Sequence, residues 1–151
     1  MLPIEQLQNL IQGKKVAFIG AGVSHKRCIE QFVELGAQVT LCDQKKSLED
    51  FGAYADTLRR LHVRLSLGEH YTDGFAGQDI IMRTPGYEYY KPELQAALQA
   101  GTKVTSEVEL FFELCPCEIV AVTGSDGKTT TTTLISKMFD CLLYTSDAAD
   151  D

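Results

Sequence analysis

The stretch "KVAFIGAGVSHKRCIEQFVELG", residues 15–36, decides the fold. Its first part, "KVAFIG" (15–20), is a short and nearly continuous apolar run, the pattern of a strand buried on both faces. Two glycines, Gly20 and Gly22, follow where the strand must turn. Beyond Ser24, Cys28, Ile29, Phe32, Val33 and Leu35 recur at helical spacing, and Gly36 stands where a C-terminal cap belongs. A buried strand, a glycine turn and an amphipathic helix make the first half of a βαβ unit, in which the helix N-terminus offers N–H groups to an anion.

Outward from this unit the alternation continues. "QVTLCD" (38–43), "VRLSL" (63–67), "DIIM" (79–82) and "TKVTS" (102–106) read as further strands. Ser47 is expected to cap a helix whose face is Leu48, Phe51, Ala55 and Leu58, and Pro92 opens another that ends at Gly101. "EVELFFEL" (107–114) reads as a short helix, Pro116 breaks the pattern, and "EIVAVT" (118–123) is expected to start a new strand. The expected fold is therefore α/β. A Rossmann-like doubly wound parallel sheet occupies residues 1–115, and the first strand, loop and helix of a second, incomplete domain occupy 116–140.

Composition narrows the function classes. With 44% apolar and 23% charged residues the chain has the make-up of an ordinary globular protein, and it contains no apolar run of the ~18 residues that a membrane span needs. The start "MLPIEQLQNLIQGKK" places its basic residues after the apolar ones and has no small-residue cleavage site, so no export signal and a cytoplasmic location are expected. A net charge of −7 argues against a broad polyanion-binding surface, although a local cradle of N–H groups still holds a phosphate. Neither nucleic acid nor membrane is an expected partner, and a monomer is expected. The five cysteines lack CxxC spacing, which favours reduced thiols over disulfides or zinc.

Three stretches carry chemistry. In "GAGVSH" (20–25), Gly20 and Gly22 let the backbone approach a pyrophosphate, and Asp43, 21 residues after Gly22, is placed to accept hydrogen bonds from a ribose or a base N–H. A dinucleotide fingerprint would put a small residue where His25 stands, which speaks against NAD; His25 itself is expected to be a solvated first-turn residue. In "RTPGYEYYKP" (83–92), on the same carboxyl edge, Pro85 and Gly86 bring the main chain close to a ligand. Tyr87, Tyr89 and Tyr90 are expected to pack, and Arg83 to meet either a phosphate or a carboxylate.

The third stretch is "TGSDGKTTT" (123–131), a phosphate-gripping loop with two residues, not four, between its glycines. Gly124, Ser125, Asp126, Gly127, Lys128, Thr129 and Thr130 are the candidate ATP-binding residues. Lys128 supplies a point charge to the transferring phosphate as the candidate catalytic residue, and the Thr129 hydroxyl is the candidate Mg²⁺ ligand. On residues alone, two alternatives stay open: an NAD-dependent dehydrogenase-type domain, and a nucleotide-binding module without catalysis.

In this order, the glycine turn at 20–24, Asp43, Pro85-Gly86, "SEVELF" (106–111) and "VTGSDGKTTT" (122–131) resemble the Mur ligases of peptidoglycan synthesis. Asp126 replaces an asparagine more common in that family, and Thr84 a frequent serine. The resemblance covers the first domain and only the start of the second. It implies that the loop opens an ATPase domain not contained in these residues, that "CLLYTSDAADD" (141–151) is a non-native tail, and that the chain alone is inactive. For a complete enzyme it implies ATP and Mg²⁺ as cofactors and, as partners, UDP-N-acetylmuramoyl-L-alanine and D-glutamate, joined through an acyl phosphate. It further implies UDP binding in the first domain, with Val23 and Ser24 at the diphosphate and Asp43 at the uracil.

Overall fold

The computed structural model describes the backbone of residues 2–147 and the side chains through residue 141. The chain divides into two compact units, one ending at Pro116 and the other starting at Cys117.

The first unit is built on an all-parallel sheet of five strands, β1 (Lys15–Ile19), β2 (Gln38–Asp43), β3 (Arg64–Leu67), β4 (Ile80–Met82) and β5 (Lys103–Thr105), in the order β3-β2-β1-β4-β5. Five helices accompany it: α1 (Pro3–Ile11), α2 (Val23–Glu34), α3 (Tyr54–Arg60), α4 (Pro92–Gln99) and α5 (Glu107–Leu114). The Rossmann-like expectation is borne out. After β1 the chain builds outward through β2 and β3, then returns to the other side of β1 for β4 and β5. The strand order therefore reverses at β1/β4, and ligands of open α/β sheets bind in the crevice outside the strand ends at such a point.

Alternation along each strand separates two cores. Val16, Phe18, Val39, Leu41, Ile80 and Met82 point to the face covered by Ile11 of α1, Ile29 and Phe32 of α2, Leu58 of α3 and Leu110 of α5. Ala17, Ile19, Cys42 and Ile81 point the other way, against Leu94 and Ala97 of α4 and against Tyr71 and Phe75. Both faces are covered, which is why these strands read as apolar runs.

Several local expectations are corrected. The segment after Ser47 is not one helix; it is a 3₁₀ turn, Leu48–Phe51, and then α3, broken at Gly52 with φ +57°, a left-handed conformation that suits glycine and ends the turn. The apolar face expected of that helix survives the break, since Phe51, Ala55 and Leu58 are all buried. Two elements are additions: α1, begun by Pro3 with the Glu5 carboxylate accepting from the Leu2 N–H at 3.0 Å, and a 3₁₀ segment, Gly68–Phe75. The latter lies against β2 and β3 at Gly74, where an added Cβ would stand 2.6 Å from Cys42 Sγ and 2.7 Å from Ser66 Cβ. Glycine is needed there for close approach, not for an unusual φ.

In the second unit, residues 118–123 form no strand. A strand needs a neighbour for its ladder, and among the described residues this segment has none. A helix, α6 (Lys128–Asp147), follows and continues through the first part of the expected tail, whose last residues lie outside the described range. Among the described residues no helix is long and apolar enough to cross a membrane.

Candidate nucleotide-binding sites

At the carboxyl end of β1 the chain turns through Gly20, whose φ of +76° favours glycine and whose N–H donates to the Cys42 carbonyl at 2.8 Å. Gly22 is the N-cap of α2 and brings no side-chain cap to the first-turn N–H groups. A Cβ built on Gly22 meets nothing within 4 Å, so internal packing does not require this glycine. The space above the turn is open, and the helix N-terminus points its N–H groups into it. Val23 leaves 91% of its surface exposed there, and Ser24 beside it is exposed.

Asp43 ends β2 next to this turn. Its Oδ2 accepts from the Ala21 N–H at 3.3 Å and its Oδ1 from the Lys45 N–H at 3.0 Å. Gly20, Asp43, Gln44, Tyr71, Thr84 and Tyr87 surround a cavity of about 210 Å³ on this edge. Ligand sites usually run to ~300–1,000 Å³, so this cavity by itself has room for only part of such a ligand. The structure thus brings Gly20 and Asp43 to one cavity and sets Gly22, Val23 and Ser24 on the adjoining helix start. Pro85 and Gly86 sit exposed on the neighbouring loop, closed by a Tyr87 N–H to Thr84 carbonyl bond of 3.0 Å.

Gln44 and Tyr71 were not legible as site residues, because Tyr71 lies in a segment without helical or strand period and Gln44 is a single polar residue after a strand. Tyr87 packs as expected, buried with its hydroxyl donating to Glu93 Oε1 at 2.6 Å and Lys91 Nζ 4.7 Å from its ring centre. Burial and then this bond push the Tyr87 hydroxyl far above the usual tyrosine range, and the same bond holds the Glu93 carboxyl below its ordinary value. Tyr89 and Tyr90 depart from the packing expectation: they are exposed and meet each other edge-on, with ring centres 5.4 Å apart. Arg83 Nη2 takes the carboxylate option, 3.5 Å from Glu109 Oε1.

His25 overturns its expectation. It is 2% exposed, not solvated, because the third residue of α2 faces the sheet. Its ring meets Phe18 edge-on, with centres 5.2 Å apart, at the position where a dinucleotide fold places a small residue.

In the second unit the loop before α6 has Gly124 at φ +152° and Gly127 at φ +75°. The Lys128 ammonium folds back onto it, donating to the Gly124 carbonyl and, at 3.0 Å, to the Ser125 carbonyl. Thr132 and Thr133 spend their hydroxyls on the carbonyls of Lys128 and Thr129 at 2.9 and 2.8 Å. Residues 123–130 are all exposed, so the loop is open to solvent, and among the described residues the Lys128 ammonium bonds only the loop carbonyls of Gly124 and Ser125.

Known proteins resemble the chain in the same places. Residues 14–106 match the MurD-like N-terminal domain of Mur ligases. A UDP-N-acetylmuramoylalanine--D-glutamate ligase of Acetivibrio thermocellus is 48% identical over 141 residues, covering 89% of this chain and 29% of that protein. The corresponding ligase of Clostridium botulinum strain Loch Maree is 44% identical over 133 residues, with 88% and 29% covered. This chain thus spans under a third of the length of these relatives. Among solved structures, a murein peptide ligase of Psychrobacter arcticus superposes with a TM-score of 0.56 at 22% identity, over 82% of this chain and 26% of that one, a likeness of fold. The glycine turn, the Asp43 strand end and the Pro-Gly loop all fall inside the matched span, and the chain belongs to the Mur ligase family through its MurD-like N-terminal domain.

Proposed function

We propose that the first unit is the UDP-substrate-binding part of a ligase that adds D-glutamate to UDP-N-acetylmuramoyl-L-alanine in the cytoplasm during peptidoglycan synthesis. Beside the Gly20 turn, Gly22, Val23 and Ser24 offer their backbone N–H groups to the diphosphate, Asp43 accepts from the uracil, and Pro85-Gly86 borders the sugar side. The observation that carries this reading is the open turn at Gly22, where a built Cβ meets nothing within 4 Å, two residues beyond the Gly20 that lines the Asp43 cavity.

The loop at 124–130 is the corresponding reading for ATP. Gly127 keeps a backbone bend that a side chain would strain, Lys128 has an ammonium ready to exchange loop carbonyls for phosphate oxygens, and the exposed Thr129 hydroxyl suits Mg²⁺. ATP and Mg²⁺ supply the activation of the substrate carboxylate as an acyl phosphate, which the D-glutamate amine then displaces. Lys128 contributes charge to that transfer, and positioning does the rest; a misplacement of ~1 Å already costs about 100-fold.

The test is a chimera in which residues 14–106 replace the matching segment of the Acetivibrio thermocellus ligase. Turnover with UDP-N-acetylmuramoyl-L-alanine and D-glutamate, lost on Asp43→Ala within the graft, is expected. A folded chimera that releases no phosphate with this substrate contradicts the proposal.

A further inference from the structure

The Gly20–Ala21 peptide unit is held at both ends by side chains. Asp43 Oδ2 accepts from the Ala21 N–H at 3.3 Å, and His25 Nδ1 lies 2.9 Å from the Gly20 carbonyl oxygen. A carbonyl only accepts, so Nδ1 carries the proton. The far side of the ring meets another element: Nε2 stands 3.7 Å from Glu107 Oε1 at the start of α5. That oxygen is buried and has no hydrogen-bond partner among the described residues. Glu107 also borders Cys28, whose thiol is pushed up to about 11, first by burial and then by this carboxylate.

The turn needs such a grip. Gly20 has the widest choice of backbone conformations of any residue type, and Gly22 provides no cap. A flip of the Gly20–Ala21 peptide would break both of these bonds and move the entry to α2, where the unbonded first-turn N–H groups stand. An inward-facing small residue at position 25 would permit tight packing but would leave the Gly20 carbonyl without this partner.

We propose that His25 is a positioning residue for the anion-cradling turn: Nδ1–H fixes the Gly20 carbonyl while Asp43 holds the Ala21 N–H, so that the amides of Gly22, Val23 and Ser24 stand ready for a diphosphate. The diphosphate in this statement rests on the function proposed above; the fixing of the turn does not.

His25→Ala and His25→Asn separate this role from simple packing. Both remove the buried ring, but asparagine reaches the same carbonyl with its own N–H. In the unliganded 151-residue chain, amide exchange at Ala21, whose N–H Asp43 holds, is expected to speed about tenfold in His25→Ala and to stay within about threefold of the parent in His25→Asn, with melting temperature lowered in both. Affinity for UDP follows exchange, not melting temperature. Equal exchange at Ala21 in the two variants, or affinity that tracks melting temperature alone, overturns the proposal. If His25→Ala does not fold, parent-like exchange in His25→Asn supports the proposal and fast exchange overturns it. A parent chain that binds no UDP removes the diphosphate reading, and positioning is then decided by exchange alone.

Discussion

The Asp43 carboxylate and the Ala21 amide meet at 3.3 Å, tying the end of β2 to the turn that follows β1. The same carboxylate caps Lys45 through its other oxygen at 3.0 Å, so both strand ends of the cavity depend on one side chain. Asp43→Ala is expected to lower stability by about 1–2 kcal/mol and to weaken UDP binding by more than about tenfold. Denaturant unfolding and calorimetry on the same variant check the two effects. Loss of stability with affinity unchanged would make Asp43 a bracket of the turn and nothing more.

Two glycines should respond in opposite ways. Gly74→Ala drives a methyl group into Cys42 and Ser66, contacts of 2.6 and 2.7 Å, and is expected to destabilise the first unit by about 1–3 kcal/mol. Gly22→Ala points its methyl group into open space and is expected to leave stability within about 0.5 kcal/mol while impairing UDP binding. Melting temperatures and UDP titrations of the pair distinguish a packing glycine from a ligand-facing one; unimpaired binding by Gly22→Ala would count against the cradle.

Buried thiols and tyrosines set an alkaline limit. Burial raises Cys28 from 9.0 to about 11 and Cys42 to about 12, and it raises Tyr54 from 10.0 to about 12. A group raised on folding gives its stabilisation in full below the unfolded value and loses it as pH climbs toward the folded one. The melting temperature is therefore expected to hold up to about pH 9 and to fall progressively between about 9 and 12. A melting temperature unchanged throughout that window would contradict the burial of these groups.

Residues 118–123 should behave unlike the sheet. Val120 is 60% exposed and the segment has no ladder among the described residues, whereas β1, β2 and β4 are buried on both faces. Amide exchange is expected to be fast at 118–123 and slow at β1 and β2, because backbone without buried partners opens at little cost. Equal protection in the two places would show that the segment has found a ladder.

The sheet was legible because burial on both faces turns each strand into an apolar run, as at 15–20 and 38–43, and because glycine at position 20 marks the turn. Burial of His25 was not legible: a polar residue in a first helical turn reads as solvated unless the carbonyl of Gly20 and the carboxylate of Glu107, 82 positions away, are known to converge on it. The strand expected at 118–123 failed for a related reason. β-Branched residues such as Ile119, Val120 and Val122 give a strand its propensity, but only a neighbour gives it a ladder. Segment Gly68–Phe75, whose Tyr71 walls the cavity, has neither period and left no signal.

The central claim is that the carboxyl edge of the first unit binds a uridine diphosphate group. The most direct measurement is a titration of the chain with UDP and with NAD, following backbone amide resonances. The account predicts that UDP shifts the amides of residues 20–24, Asp43 and Gly86 at concentrations where NAD leaves them in place. Saturable binding of NAD at these amides with no response to UDP would contradict it.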